Sequence, residues 1–579
     1  MDNRNGTAAH PQTGNDVDGV VPGGRQHRAV VASDDITPSR PGGGAREHHR
    51  AVIVGSGFAG LGAAIKLKQS GIEDFVVLER DGEVGGTWWA NTYPGCQCDI
   101  PSHLYSLSFA PNPRWTRTYS LQPEILQYLR DVCREHGIYP HVRFGQEVAS
   151  ASWDEDARVW HIQTIALAQP ANAAVGASHE GLRRSSANGV ARGDGTSGPR
   201  DAVDSAELTA DLLIVGPGPL SDPKLPRIEG IESFAGKIFH SARWDHEHSL
   251  LGKRVAVIGT GASSIQFVPR IAPEVSKLSV FQRTPPWIVP HRDRPTTRLE
   301  RTLYRLFPPA QRMVRGLIYL SRELFVFTLM HPRAGSLFER MAHKHLREQV
   351  PDPQLRAKLT PRYRIGCKRL LISNDYYPAL QRPNVELVTD AIAAITPGAI
   401  VTADGREHEV DTIILGTGFH VTDMPVAEWV RGRDGRTLAE VWQGSPQAFL
   451  GTTIAGFPNL FMLVGPNTGL GHNSIVFMIE SQLNYMIDCI GQLEQNSAFA
   501  FDVRADVQRR FNEQLQRELQ GTVWTSGGCV SWYLDEHGRN STIWPGFTWP
   551  FRRRTRRFQT GDYELDTAPA REGVELVPA

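Results

Sequence analysis

Two kinds of hydrophobic pattern divide the chain. Short, unbroken apolar runs that end in glycine read as buried strands: Ala51-Val52-Ile53-Val54 before Gly55, Leu212-Leu213-Ile214-Val215 before Gly216, Val255-Ala256-Val257-Ile258 before Gly259, and Thr412-Ile413-Ile414-Leu415 before Gly416. Val142-Arg143-Phe144 and Trp160-His161-Ile162-Gln163-Thr164 alternate as strands do, and Val385-Glu386-Leu387-Val388 is a further strand-like segment. Over residues 299–350 the pattern turns helical, with Leu303, Leu306, Met313, Leu317, Leu320, Leu324 and Phe327 falling on one face. That face is expected to pack on its own domain, as amphipathic helices commonly do; contact with a membrane is the other reading.

The pattern disappears in two places. Residues 1–47 and 169–206 are rich in Gly, Ser, Arg and Asp and show neither period, so they are expected to be a disordered leader and a disordered insert, the latter an elongated hairpin loop between strands. With 579 residues, two or more domains are expected. Equal counts of 62 basic and 62 acidic residues argue against a nucleic-acid partner. Six cysteines, Cys96, Cys98, Cys133, Cys367, Cys489 and Cys529, do not resemble a disulfide framework, and with no signal peptide evident a cytoplasmic location fits. Cys96 and Cys98 lack a second Cys/His pair at ligand spacing, so no metal site is expected. The longest apolar run, residues 316–330, is interrupted by Arg322 and Glu323 and is too short for a bilayer, so no transmembrane helix is expected.

Two of the strand ends carry glycine-rich turns, Gly55-Ser56-Gly57-Phe58-Ala59-Gly60 and Gly259-Thr260-Gly261-Ala262-Ser263-Ser264. Each reads as strand, tight turn, helix, which brings backbone N–H groups and a positive helix end to a pyrophosphate. The small Ser264 stands where a third glycine is usual. At the same offset after each first glycine the next strand ends in a different residue, Glu79 in one unit and Arg283 in the other. A carboxylate suits the hydroxyls of an unphosphorylated ribose, and an arginine suits the 2'-phosphate of NADPH. The expected cofactors are therefore FAD in the first unit and NADPH in the second. The expected fold is α/β, with two Rossmann-like dinucleotide-binding domains and a helical insertion in the NADPH domain.

Two further motifs lie between the turns. Gly85-Gly86-Thr87-Trp88-Trp89-Ala90-Asn91-Thr92-Tyr93-Pro94-Gly95-Cys96-Gln97-Cys98-Asp99 has the composition of a loop that wraps a cofactor. Phe234-Ala235-Gly236-Lys237-Ile238-Phe239-His240-Ser241-Ala242-Arg243-Trp244-Asp245 precedes the second turn. These stretches resemble the G-G-x-W-x-x-x-x-Y-P-G-x-x-x-D and F-x-G-x-x-x-H-x-x-x-W-D signatures of type I Baeyer-Villiger monooxygenases. The resemblance spans about residues 51–549 and looks closest to the aryl-ketone and steroid-ketone branch. It implies that a C4a-peroxyflavin, formed with O2, attacks a ketone and yields an ester or lactone.

The resemblance also implies a catalytic pair, Arg369 after Lys368, and Asp99 at the end of the first signature. A fixed cation in a dry site suits an oxygen anion there, and Asp99 would orient it through charge-assisted hydrogen bonds. On the FAD side the expected contacts are Gly55, Ser56, Gly57, Ala59, Gly60, Glu79, Thr87, Trp88, Asp99, Tyr105 and Val148. On the NADPH side they are Gly259, Thr260, Gly261, Ala262, Ser263, Ser264, Arg283, Thr284 and Lys368. His240 is read as a hydrogen-bonded histidine fixing the interdomain linker in preference to a proton donor. Residues 466–473 resemble a glycine-rich segment near the flavin ring, and the ketone pocket is expected from the helical insertion and C-terminal loops such as Ser526-Gly527-Gly528.

The division that follows is a leader 1–47, FAD domain 48–168, insert 169–206, NADPH domain 207–389 with a helical subdomain 299–360, FAD domain continued 390–550, and a tail 551–579. The basic run Arg552-Arg553-Arg554-Thr555-Arg556-Arg557 in the tail reads as solvated, with an anionic surface as the other reading. Three rivals remain open. An N- or S-oxygenating flavin monooxygenase conflicts with Trp244-Asp245, a disulfide oxidoreductase conflicts with the C-x-C spacing, and an NADPH-sensing flavoprotein without oxygenase activity would release peroxide and no oxygenated product.

Overall fold

The structure is a computed structural model and describes residues 47–167, 205–216, 218–331, 334–529, 531–567 and 577–578. The expected leader and insert lie outside these residues, except that Glu47, Ser205 and Ala206 sit in strands. Two parallel arrays carry the glycine turns. In the first, Glu47–Val54 lies between Phe75–Glu79 and Ser205–Val215, parallel to both, with Ala51 opposite Phe75 and Leu212. Val142–Phe144 extends one edge, while Val159–Ala166, Gln146–Asp154 and Val430–Arg431 extend the other. Leu460–Met462 also pairs with Ser205–Val215. The strands flanking the insert therefore do form an antiparallel pair, Thr164 facing Ala206.

The second array is five-stranded and all parallel, in the order Val385–Val388, Lys277–Phe281, Arg254–Ile258, Thr412–Leu415, Lys237–His240. Two strands fall on the opposite side of the division drawn from sequence. Residues 207–215 were expected in the NADPH domain and pair in the first sheet; Thr412–Leu415 was expected in the resumed FAD domain and pairs with the second Gly-turn strand. A continuous apolar run suits the centre of any parallel sheet, so its composition does not say which sheet takes it.

Helix Phe58–Gln69 runs under the first turn and is backed by the long helix Ile475–Gln495, whose Leu483 lies where a side chain on Gly62 would have to be. The hydroxyl of Ser474 caps that long helix by accepting from Val476 N–H at 3.3 Å. The helical insertion comprises Arg298–Leu306, Pro308–Met330, Ser336–Gln349 and Pro353–Lys358, the first opened by a reciprocal Thr297/Glu300 cap.

The apolar stripe of this insertion does not pack inward, contrary to expectation. Leu317 is 60% exposed and Leu324 65%, and their neighbours on that face are similarly open. The helix buries its opposite side, where polar groups find partners: Gln311 donates to Asn112 O at 2.7 Å, Arg315 to His103 O at 2.8 Å, and Glu323 accepts from Asn473 at 2.7 Å. The same side also buries Val326 and Leu329, so the buried face joins hydrogen-bonding groups to a short apolar stretch, and the longer apolar stripe does not encode it. A second correction concerns sulfur. Cys367 and Cys529 form a disulfide across 162 residues of sequence, while Cys96, Cys98, Cys133 and Cys489 are free and buried. The fold brings that pair together, and no local spacing announces it.

Gly60 marks the tightest contact under the first turn. A Cβ there would stand 1.8 Å from Gly55 O, a backbone atom that cannot rotate away. Gly60→Ala is expected to destabilise the first unit by about 1–3 kcal/mol, as overpacked cores do, and to release flavin on gel filtration. Unchanged melting temperature and flavin content would contradict the contact.

Candidate active site

Both glycine turns, and the helices that follow them, open onto one cleft of about 1410 Å³. Gly55 to Ala59 line one part of it and Gly259 to Ser263 another. Neither following helix, Phe58–Gln69 or Ser264–Ile271, has a side chain capping its N-terminus. Their first N–H groups are thus left for a phosphate, the donor set a dinucleotide needs.

Glu79 ends its strand buried at the cleft wall. Its carboxylate accepts from Ser56 N–H at 2.8 Å and Ser56 Oγ at 2.6 Å, and from Asp81 N–H at 2.9 Å. Burial raises its pKa, and these hydrogen bonds oppose that rise. Its Oε1, which accepts only from Asp81, keeps a lone pair for a ribose hydroxyl. Across the cleft, Arg283, Thr284 and Lys368 line the part next to the second turn. Burial lowers the pKa of Lys368, and the neighbouring Arg283 charge lowers it further. Its ammonium lies 5.3 Å from the Tyr363 ring centroid. A phosphate between two cations that repel each other in this way would remove the repulsion.

Asp99 and Arg369 meet in the same cleft. Arg369 Nε donates to Asp99 Oδ2 at 2.7 Å and Nη2 to Oδ1 at 2.7 Å, a bidentate pair. The Asp99 charge raises the Arg369 pKa above its already high value, so the guanidinium is always charged. Both side chains keep access to the cleft, 30% exposed for Arg369 and 25% for Asp99.

The loop that carries Asp99 is anchored at both ends. Its short helix Thr87–Ala90 places Trp88, whose Nε1 donates to Tyr105 OH at 3.2 Å. Tyr93 OH donates to Gln266 Oε1 at 3.0 Å, and Gln266 Nε2 donates to Gln97 O at 3.0 Å. Gln266 belongs to the helix of the second turn, so the loop bridges the two nucleotide units. Arg369 is placed by the segment that follows the Cys367 disulfide and adjoins strand Leu371–Ile372.

Not every expected residue reaches the cleft. Gly60 and Ser264 lie beneath their turns: Ser264 is fully buried, and a Cβ on Gly416 would stand 2.3 Å from its hydroxyl, so the room for a serine comes from Gly416. Val148 stands apart from the other expected contacts. It lies in the strand Gln146–Asp154 opposite Thr164, packed in the core behind the first sheet and absent from the cleft wall. His240 Nδ1 accepts from Ala242 N–H at 3.1 Å, and its ring meets Phe419 edge-on. Trp244 packs on Phe239 and Phe267, and Asp245 binds Lys237 at 2.7 Å, so the whole second signature holds its own fold together.

Two features escape a reading by motif. Tyr533 is fully buried, its hydroxyl has no hydrogen-bond partner among the described residues, and it lies within electrostatic reach of Arg369. Glu323 is buried among His472, Asn473 and Thr548, and Asn473 lines the cleft. Burial alone would raise the Glu323 pKa, but hydrogen bonds from His472, Thr548 and Asn473 hold it below the usual value.

Residues 53–120 match the NAD(P)-binding Rossmann-like domain family, and residues 203–429 match the flavin-binding monooxygenase-like family. A Baeyer-Villiger monooxygenase of Streptomyces coelicolor is 49% identical over 92% of this chain and 96% of its own. The chain belongs to the Baeyer-Villiger monooxygenases. Among solved structures, closed cyclohexanone monooxygenase superposes with a TM-score of 0.76 at 27% identity, covering 90% of this chain and all of that one. Oxidized steroid monooxygenase bound to NADP gives 0.73 at 29%, with the same coverage. As a Baeyer-Villiger monooxygenase the chain uses FAD, NADPH and O2 to convert a ketone to an ester or lactone, and both cofactors fit the donors just described. Among the described residues no helix is long and apolar enough to cross a membrane.

Burial pushes the His240 pKa down from 6.5 to about 4. A depressed histidine contributes stability that is complete above pH 6.5 and is lost as the pH falls through 4, a change of roughly 3 kcal/mol. Thermal melts at pH 7 and pH 4.5 are expected to show a steeper loss for the wild type than for His240→Gln. Parallel slopes would mean that His240 is not held neutral.

Proposed function

We propose that the ketone is a bulky one, of aryl or steroid type, and that Arg369 is the catalytic cation with Asp99 as its positioning partner. The observation that carries the catalytic assignment is the bidentate Arg369–Asp99 pair, set in the cleft onto which both glycine turns open. Bound FAD supplies the oxygen-activating redox chemistry. Arg369 would hold a permanent positive charge in the cleft where that chemistry takes place, while Asp99 fixes the guanidinium plane by two charge-assisted hydrogen bonds. Gly469, Leu470 and Asn473 line the cleft on one side, and Tyr533 is fully buried within electrostatic reach of Arg369. Support for the substrate class comes from the likeness to steroid monooxygenase and from the apolar wall that Leu470, Ile479 and Trp532 add to the cleft.

Arg283, Thr284 and Lys368 read the 2'-phosphate of NADPH, and Glu79 takes the ribose of FAD. The mutual repulsion of Lys368 and Arg283 supports the first assignment, and the Ser56-oriented carboxylate supports the second. The FAD domain then comprises residues 47–167, 205–216 and 430–567, and the NADPH domain residues 237–415 with the helical insertion inside it. Strand pairing supports this division.

Arg369→Ala is expected to retain FAD and lose ester formation from a panel of aryl, steroid and alicyclic ketones, with products identified by mass. An undiminished ester yield sinks the catalytic role, and a preference for small alicyclic ketones sinks the substrate class. Arg283→Ala and Lys368→Met are each expected to raise the KM for NADPH about 10- to 100-fold, the value of a charge-assisted hydrogen bond, and to leave that for NADH unchanged. A constant NADPH/NADH preference would reassign the 2'-phosphate site.

A further inference from the structure

Ten of the nineteen large hydrophobic side chains exposed among the described residues fall within residues 299–337, so they form a patch and not scattered surface. Its centre is the helix Pro308–Met330, about 35 Å long at 1.5 Å per residue. Met313, Leu317, Leu320, Leu324 and Phe327 recur on it at steps of four and three and so share one narrow face, all of them more than half exposed. The preceding helix Arg298–Leu306 adds Leu306. The opposite face is already committed to the protein through Gln311, Arg315 and Glu323.

The charges around this stripe are of one sign. Of the two acidic residues between 298 and 331, Glu300 is held by Arg294 at 2.6 Å and Glu323 is buried. Arg298, Arg301, Arg305 and Arg312 make no ion pair among the described residues, and three of them, Arg298, Arg305 and Arg312, are exposed. The helix Thr548–Arg554, bonded to the stripe helix by Thr548 and Tyr319 at 3.0 Å, adds exposed Trp549, Arg553 and Arg554.

We infer that this face docks on the surface of an anionic phospholipid bilayer, with the leucine stripe entering the acyl boundary and the arginines meeting phosphate headgroups. An apolar face bordered by unpaired arginines is the signature of a helix lying in the membrane plane, and the helix is not apolar enough to cross. A second copy is the poorer occupant. Two such faces brought together would oppose arginine to arginine with no free carboxylate between them, whereas anionic lipid supplies the missing charge. The buried side of the same helix holds Asn473 at the cleft through Glu323, so a docked enzyme would have its reaction cleft behind the membrane-facing wall. The inference rests on exposure and charge alone and does not depend on the roles proposed for Arg369 or Arg283.

The test is co-flotation of the flavin-loaded full chain with vesicles of phosphatidylcholine, with and without phosphatidylglycerol. Binding is expected only with the anionic lipid and is expected to weaken as salt is raised. Leu317→Glu with Leu324→Glu should abolish it, and Arg305→Ala and Arg312→Ala should each weaken it about fivefold. These variants are to be checked for unchanged flavin content and NADPH oxidation, and the arginine variants keep the test open if the glutamate pair misfolds. No flotation of the wild type, or equal flotation on neutral vesicles, overturns the proposal. So does a wild type that sediments as a dimer and becomes a monomer in the glutamate pair without ever binding vesicles, which would give the stripe to a second copy.

Discussion

The site depends on a backbone contact that occurs twice. In the first unit Gly55 presses against Gly216 O, which a Cβ would meet at 2.9 Å; in the second, Gly259 presses against Gly416 O, which it would meet at 2.4 Å. Each pair joins the end of a Gly-turn strand to the end of the strand beside it. With φ of 91° and 109° the two turning glycines sit where other residues are strained, so both position and conformation exclude a side chain. This close approach lets each chain leave its sheet and turn at once into a helix whose uncapped N-terminus faces the cleft. Cofactor binding is thus a consequence of how tightly neighbouring strand ends are packed.

From these two fixed points the polarity of the cleft follows. One wall presents the Glu79 carboxylate, oriented by Ser56, and the other presents Arg283 and Lys368. Asp99 and Arg369 repeat the pairing of opposite charges between them, Asp99 coming from a loop that Gln266 ties to the second helix and Arg369 from the segment after Cys367. A lone guanidinium held partly buried in the cleft would be costly to desolvate; paired with Asp99 it is held charged, and its Nη1 remains only 3.5 Å from Leu470 O. The pair therefore solves a local electrostatic problem and points the cation at the same time.

The parts legible in the sequence were those with strong local constraints. The two turns, Glu79 and Arg283 follow from the strand-glycine-helix pattern, and the meeting of Asp99 with Arg369, 270 residues apart, came through resemblance because no local signal links them. Val148 lies in a strand opposite Thr164 and not in the cleft wall. The exchange of residues 207–215 and Thr412–Leu415 between sheets has a simple origin: apolar runs encode burial, and sheet membership is decided by crossovers. Tyr533 and the Cys367–Cys529 disulfide depend wholly on tertiary placement.

The helical insertion shows most directly why pattern and packing can part company. Its period announced a helix with one apolar face, and the helix is there, yet the buried side is the one bearing Gln311, Arg315 and Glu323 together with Val326 and Leu329. Glu323, which breaks the apolar run, is the residue that anchors the helix, accepting from Asn473 and from both the backbone and hydroxyl of Thr548. A carboxylate with that many donors is worth burying, because each satisfied bond offsets part of its desolvation and leaving any one unmade would cost about 1–3 kcal/mol. Leucines, by contrast, gain from any apolar environment and specify no partner geometry. The polar side thus fixes the helix against the cleft with directional bonds, and the apolar side is left available to a surface that needs no direction.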